Sequence, residues 1–447
     1  MLEKVLIANR GEIAVRVIRA CKELGIKTVA VYSEADKESL HVKLADESVC
    51  IGPAESYKSY LNEKNILEAA CLMGADSIHP GFGFLSENAK FAKMCEECNL
   101  KFIGPSSSTI ELMGNKINSK NLMIENNVSV IKGSKGKLNS YKDAQKIAKD
   151  IGYPVILKAS AGGGGKGIRI VRKEEDLKEQ LDLVKKESKS SFNDDTIFME
   201  KFIENPRHVE IQVLSDKYGN TIYLGERDCS VQRNNQKMLE ESPSTILDEK
   251  TRREMGNAAV RAAKAANYEG AGTVEFLVDK NNNYYFMEMN TRIQVEHPVT
   301  EMMTGIDIVK QQLKIASGEK LEILQENVIP KGHSIECRIN AENPYKKFVP
   351  SPGKIEKLIL PGGNGTRVDT AMYENYTIPP YYDSMIAKII VHADTRIEAI
   401  SKMKRALEEC VIEGIDTNIK FLLEILENEK FKSGKFTTSL IKEEFDI

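Results

Sequence analysis

The chain has 447 residues, of which 41% are hydrophobic and 29% charged, and its formal net charge is −3. That length exceeds one ordinary hydrophobic core and calls for about two to four domains. The balanced charge, with no basic run, excludes the electrostatic footprint of a nucleic-acid binder, and no run approaches the roughly 18 apolar residues that a membrane span needs.

The opening stretch 1-MLEKVLIANR has charges on both sides of its apolar part, unlike a signal peptide. Eight scattered cysteines read as reduced thiols, so a cytoplasmic location is expected. Cys95 and Cys98 have redox spacing, but they sit in a helical pattern without a second such pair or a nearby histidine. They read as ordinary helix thiols.

In chain order, strand patterns at 4–8, 26–33, 75–80 and 101–106 alternate with helical patterns at 11–25, 63–74 and 86–99. This rhythm predicts a parallel sheet covered by helices, an N-terminal α/β domain over 1–112. Gly11 follows the first strand, yet 8-ANRGEIAV-15 lacks the G-x-G-x-x-G fingerprint, which disfavours a dinucleotide site. Residues 113–330 mix helices and hairpins, with a compact unit at 131–203. Residues 331–447 carry strand patterns with Pro/Gly turns and a helix at 394–411, which predicts a C-terminal α+β domain.

The stretch 158-KASAGGGGKGIRI-170 places five glycines in six positions around Lys166. Strand patterns flank it at 154–159 and 167–172, and Lys166 is followed by Gly167 rather than Ser or Thr. It therefore reads as a hairpin tip and not as a Walker A loop. A two-residue tip would suffice for a turn. The extra glycines point to a mobile lid with bare N–H groups for an anionic ligand, with Lys158 and Lys166 supplying charge.

A stronger signal lies in 273-TVEFLVDKNNNYYFMEMNTRIQVEHP-298. With a hairpin turn centred on Asn281–Asn282, Glu275 falls opposite Glu288, an unfavourable pairing unless a divalent cation lies between them. Asn290, two residues on, shares that strand face and can add a third oxygen. The same parity runs through Glu288, Asn290, Arg292, Gln294 and Glu296, and the run must curve if all five share one site. Arg292 offers a fork for a small oxyanion, and Glu296 a general base.

Here the sequence resembles the biotin carboxylase family of the ATP-grasp superfamily, in order and over essentially the whole chain. The marks are 9-NRGEIA-14, 79-HPGFGFLSEN-88, 158-KASAGGGGKGIRIV-171, 205-NPRHVEIQV-213, 226-ERDCSVQR-233, 288-EMNTRIQVEHPVTE-301 and 379-PPYYDSM-385. The resemblance implies an ATP-grasp domain over 113–330, with 131–203 as its mobile lid, and a C-terminal biotin carboxylase domain over 331–447. Lys116 and Lys158 then hold ATP phosphates under the lid residues Gly163, Gly164, Gly165, Lys166 and Gly167. Glu200, Lys201 and Ile203 line the adenine pocket, and His208 and Gln232 neighbour ribose and phosphate. Glu275, Glu288 and Asn290 hold Mg²⁺ or Mn²⁺, with two metal sites expected.

By the same resemblance, Lys237, Arg292, Gln294 and the Val295 backbone cradle bicarbonate, and Glu296 deprotonates it. Arg338 stabilises the enolate of biotin, beside Phe82. Phe82, Asn115, Asn234 and Asn235 depart from residues frequent in the family, but no charge-bearing catalytic position is lost. Biotin is expected on a separate biotin carboxyl carrier protein, because 401-SKMKRA-406 has arginine where the carrier motif has its second methionine. A separate carboxyltransferase and a homodimer are also implied. Acetyl-CoA carboxylase, and with it fatty acid biosynthesis, is the expected setting, and a split pyruvate or acyl-CoA carboxylase is the alternative. Another ligase of the superfamily would not need Lys237, Arg292, Glu296 and Arg338 together, and a nucleotide sensor would be expected to lack a metal glutamate or Glu296.

Overall fold

The computed structural model describes residues 2–446 apart from 135, 160–166 and 193. Strands β1 (Lys4–Ile7), β2 (Lys27–Ser33), β3 (Glu47–Gly52), β4 (Ser77–His79) and β5 (Lys101–Phe102) form a parallel sheet in the order β3-β2-β1-β4-β5. Central β1 is buried on both faces, as a parallel strand between helices must be. Val5 and Ile7 face helix Gly11–Glu23, while Leu6 faces helices Glu63–Leu72 and Ala89–Glu97. The sequence pattern did not reveal β3, an edge strand in which Ile51 alone is buried.

The turn after β4 depends on a glycine. Gly81 has φ +63°, and a Cβ there would lie 2.8 Å from the Asn9 amide nitrogen. That amide donates to the carbonyls of Pro80 and Phe82, which fixes the turn at the mouth of the cleft.

Strands β6 (Val155–Ala159), β7 (Ile168–Val171) and β8 (Ile197–Lys201) make a small sheet in the order β7-β6-β8. Lys158 pairs with Ile168, so the glycine stretch joins two antiparallel strands as expected. Helices Tyr141–Ile151 and Leu177–Phe192 cover this sheet through Ala144, Ala148, Leu177 and Leu181.

The largest sheet is antiparallel and has eight strands. It contains β9 (Arg207–Ser215), β10 (Thr221–Arg233), β11 (Gln236–Ser242), β12 (Gly270–Val278), β13 (Tyr284–Asn290) and β14 (His333–Asn340). Strands Met385–Ala393 and Thr366–Thr370 complete the order β13-β12-β9-β10-β11-β14, then Met385–Ala393, then Thr366–Thr370. The sheet runs unbroken across the expected boundary at 330–331, because β14 pairs directly with β11.

Strand β9 shows how this sheet builds a site. Val209, Ile211 and Val213 pack with Met255, Ala258, Ala259 and Ala262 of helix Glu249–Ala265. The alternate residues His208, Glu210 and Gln212 are polar and also buried. Polar groups removed from water need partners, and theirs are Glu275 for His208, Arg227 and Lys237 for Glu210, and Arg227 for Gln212. Among the described residues, no helix is long and apolar enough to cross a membrane.

Candidate active site

The register aligns Glu288 on β13, Glu275 on β12, Glu210 on β9 and Arg227 on β10 across four neighbouring strands. The expected Glu275–Glu288 pairing is present, but its origin differs. Phe276 pairs with Phe286 and Val278 with Tyr284, so the hairpin centres on Asn281. A bulge beside Met287 then brings Glu288 opposite Glu275.

Three carboxylates in a row repel one another, and Lys237 answers part of that repulsion. It follows the tight β10–β11 turn, where Arg233 pairs with Gln236. Asn234 and Asn235 in that turn have φ +49° and +65°. Asparagine tolerates this left-handed geometry in two-residue hairpins. The Lys237 Nζ lies 2.7 Å from Glu210, 3.0 Å from Glu275 and 2.7 Å from Glu296.

After Asn290 the chain leaves the sheet and bends through 291–296 into helix His297–Thr304. The bend brings Glu288, Asn290, Arg292, Gln294 and Glu296 into one cleft. Glu296 is almost fully buried. Its second oxygen accepts from Arg338 Nη2 at 2.9 Å, and Arg338 Nε donates to Glu240 at 2.7 Å. Burial alone would raise the Glu296 pKa, but Lys237, then Arg338 and Arg227, hold it well below the usual carboxylate range. Burial likewise opposes charge on Lys237, yet the surrounding anions raise its pKa well above that of a free lysine.

The remaining cradle residues are held in networks. Gln294 Nε2 donates to Glu275 at 2.7 Å, and its oxygen accepts from Arg227 at 2.6 Å. Arg292 donates to Glu87 at 2.9 Å and to Asn290 at 3.0 Å. The Val295 carbonyl accepts from the fully buried Lys388 at 2.8 Å. Lys388 also reaches Glu12 at 3.0 Å, which links the bend to the N-terminal domain.

The cleft has a volume of about 1810 Å³ and extends from Phe82 and Arg338 to the small sheet. Lys116, Ile203 and Gln232 line it. Lys158 and Lys120 share the two oxygens of Glu200, at 2.7 and 2.8 Å. Lys201 instead ties to the carbonyls of Gly152 and Tyr153, at 3.0 and 2.8 Å. His208 is placed on Glu275, at 2.9 Å. Gly167 sits at the foot of β7 with φ +70°, whereas Gly163, Gly164, Gly165 and Lys166 lie outside the described residues.

Sequence reasoning assigned no role to Glu210, Arg227, Lys120, Glu240 or Glu87. Glu210, Arg227 and Glu87 stood inside the quoted motifs, and Lys120 is one helical turn beyond Lys116 on helix Lys116–Glu125. Glu240 carried no signal, because its partner Arg338 lies 98 residues away.

A divalent cation fits between Glu275 and Glu288 on chemical grounds. Burial raises the Glu275 pKa, but Lys237 and His208 outweigh it and keep the group ionised. Burial and the charge of Glu275 together raise the Glu288 pKa, a strain that a cation would relieve. His208, Glu210 and Glu275 also bring ligand atoms within 4.8 Å of one another, but the Lys237 ammonium already serves two of these groups and disfavours a second cation there.

A small three-stranded sheet beside an eight-stranded antiparallel sheet, with facing carboxylates at the sheet edge and lysines across the cleft, is the arrangement of an ATP-grasp ligase. Residues 115–324 match the family model "Carbamoyl-phosphate synthase L chain, ATP binding domain". Residues 1–110 match "Biotin carboxylase, N-terminal domain", and residues 336–443 match "Biotin carboxylase C-terminal domain". The chain belongs to the biotin carboxylase family.

"Biotin carboxylase 1" of Bacillus subtilis is 59% identical over 448 residues, covering 100% of this chain and 99% of the relative. "Biotin carboxylase" of Haemophilus influenzae is 56% identical over 435 residues, 97% of each chain. The crystal structure of a Campylobacter jejuni biotin carboxylase–βγ-ATP complex superposes with a TM-score of 0.95 at 52% identity, covering 99% of each chain. The biotin carboxylase domain dimer of the Hydrogenobacter thermophilus 2-oxoglutarate carboxylase, solved with MgADP, ADP and bicarbonate, gives 0.93 at 53% identity, covering 99% of this chain and 98% of that one. Members of the family are ligases that carboxylate biotin at the expense of ATP and bicarbonate, and so is this chain.

Proposed function

We propose that Glu296, Lys237, Arg292 and Arg338 perform this reaction, with biotin presented by a separate carrier protein. One observation carries the reading. A single buried carboxylate, Glu296, is held on one oxygen by Lys237 and on the other by Arg338, and so stands between the phosphate side and the biotin side of the cleft.

Glu296 starts ionised and able to take a proton, but its two cations make it a weak base. Bicarbonate is an anion, so its arrival at Lys237 and Arg292 competes for the charge that quiets Glu296. The base strengthens as the substrate binds. As Glu296 removes the bicarbonate proton, the bicarbonate oxygen attacks the γ-phosphorus of ATP, ADP leaves, and carboxyphosphate forms. Lys116 and Lys158 spread the charge on the phosphoryl oxygens, which requires Lys158 to exchange Glu200 for phosphate. A divalent cation held by Glu275, Glu288 and Asn290 would supply further neutralisation of that charge.

Carboxyphosphate is labile in water, so a lid that excludes solvent protects it. Its breakdown yields CO₂ and phosphate. Phosphate takes the N1 proton of biotin, Arg338 steadies the enolate oxygen, and N1 attacks CO₂. Relatives include subunits of a 2-oxoglutarate carboxylase and of a pyruvate carboxylase. The final acceptor therefore belongs to the carboxyltransferase partner, with acetyl-CoA our first assignment. A cytoplasmic homodimer completes the proposal, consistent with eight free cysteines.

The test is ADP formation with Mg²⁺ in CO₂-free buffer, with bicarbonate and free biotin added separately and together. Dependence on bicarbonate and stimulation by biotin support the reading. ADP formation indifferent to both would overturn it in favour of another ligase.

A further inference from the structure

Glu336 on β14 stands directly opposite Glu240 on β11, and both are fully buried. Opposed residues on adjacent strands have Cβ atoms about 4.5–5.5 Å apart, a separation at which two carboxylates repel. Glu240 Oε1 accepts from Arg338, but Glu240 Oε2 and both oxygens of Glu336 have no hydrogen-bond partner among the described residues. An ionised carboxylate without a partner in a dry interior is very costly, whereas its protonated form is much less so.

The surroundings offer Glu336 no uncommitted cation among the described residues. Arg338, two residues along the same face, is shared by Glu240 and Glu296. Lys388, opposite Arg338 on the next strand, is engaged by Glu12 and the Val295 carbonyl. Beyond it, Asp369 is paired with Arg367 at 2.7 Å. Helix His297–Thr304 packs over this face, and burial together with Lys388 keeps His297 neutral by pushing its pKa well down. The opposite face of β14, formed by Ile335, Cys337 and Ile339, lies in an apolar core, where burial pushes the Cys337 thiol well up.

We propose that Glu336 is a positioning residue that holds a proton, forming with Glu240 a carboxylic acid–carboxylate pair that leaves a single negative charge behind Arg338. Burial, partly offset by Lys388 and reinforced by the charge of Glu240, raises the Glu336 pKa well above the usual range, whereas burial lifts Glu240 only to about 7 because Arg338 opposes it, so Glu336 is the member that keeps the proton. A second anion at Glu336 would draw the guanidinium back into the sheet. With Glu336 neutral, Arg338 stays shared between Glu240 and Glu296. This role for the pair rests on the function proposed above for Arg338.

The protonation itself is read by infrared spectroscopy of the full chain at mildly alkaline pH, above the value of about 7 to which Glu240 is raised. The carbonyl band of a protonated carboxylic acid should be present in the wild type and in Glu12→Gln, and lost in Glu336→Gln. A spectrum that Glu336→Gln leaves unchanged overturns the proposal. Labelling with carboxyl-¹³C glutamate should shift the same band that Glu336→Gln removes, and a wild type with no isotope-shifted acid band overturns the proposal. This readout involves no turnover, so failure of the biotin carboxylase reading would leave it intact. In turnover assays, Glu336→Gln should keep the biotin KM within about threefold, while Glu240→Gln, which removes the charge that anchors Arg338, raises it about tenfold. A folded Glu336→Gln enzyme that loses more than about tenfold in kcat/KM would mean that Glu336 works as an anion.

Discussion

The Lys237 ammonium lies 2.7 Å from the Glu296 carboxylate while also touching Glu210 and Glu275. The proposed base and the proposed metal ligand are therefore coupled through one lysine. What binds at one end of the cleft changes the charge felt at the other.

Replacing Glu296 with Gln keeps the size and most hydrogen-bonding capacity of the side chain but removes its ability to take a proton. Bicarbonate-dependent ADP formation should fall about 10²–10⁴-fold. Nucleotide binding, measured by calorimetry, should survive. Retained turnover would show that the proton leaves by another route.

Lys237→Met strands Glu210, Glu275 and Glu296 near one another with no ammonium between them. Removing one member of a buried ion pair costs about 3–5 kcal/mol. The urea midpoint should fall, and it should fall more at mildly alkaline than at mildly acidic pH, because protonation relieves uncompensated carboxylates. A uniform drop at both would contradict the charge argument.

At Glu288 the sign reverses. Glu288→Gln removes a like charge facing Glu275, so the metal-free protein should gain up to about 1 kcal/mol. The rise in melting temperature produced by Mg²⁺ with ADP should shrink at the same time. A Mg²⁺-dependent rise as large as that of the wild type would place the cation elsewhere.

Lys388→Met removes the donor that pins the Val295 carbonyl. Small misplacements of binding groups carry large kinetic costs, so the bicarbonate KM should rise about tenfold or more. The ATP KM should change little, since Lys388 stands away from Lys116 and Lys158. Equal increases in both would indicate general loosening.

Stability should also depend on two histidines outside the reaction. His41 and His79 are fully buried, and burial lowers their pKa from 6.5 to about 4. Because the folded-state value is depressed, each contribution is complete above pH 6.5 and is lost as pH falls toward about 4. Each amounts to about 3 kcal/mol, at roughly 1.4 kcal/mol per pH unit. His41→Gln should flatten the fall of the unfolding midpoint over this window, and an unchanged slope would show that His41 does not drive it.

Much of this protein was legible in the chain. The alternation at 4–8, 11–25 and 26–33 predicted the parallel sheet, because a strand buried on both faces and an amphipathic helix each leave a local period. The glycine stretch between two strand patterns predicted the β6–β7 hairpin. Facing glutamates in 273–298 predicted the Glu275–Glu288 pair, even though the turn centres on Asn281 and a bulge restores the pairing.

Tertiary structure alone decided what surrounds those residues. Local periodicity tells which face of a strand a side chain occupies, not which strand lies beside it. Only the eight-stranded pairing set Glu210 between Glu275 and Arg227, put Glu336 against Glu240, and drew β14 into the same sheet as β9. Only packing of the C-terminal strands and helix Gly11–Glu23 around the bend at 291–296 brought Arg338 to Glu296 and Lys388 to Val295. Long-range strand pairing brings charged residues into a dry interior, where each must find a partner or keep a proton.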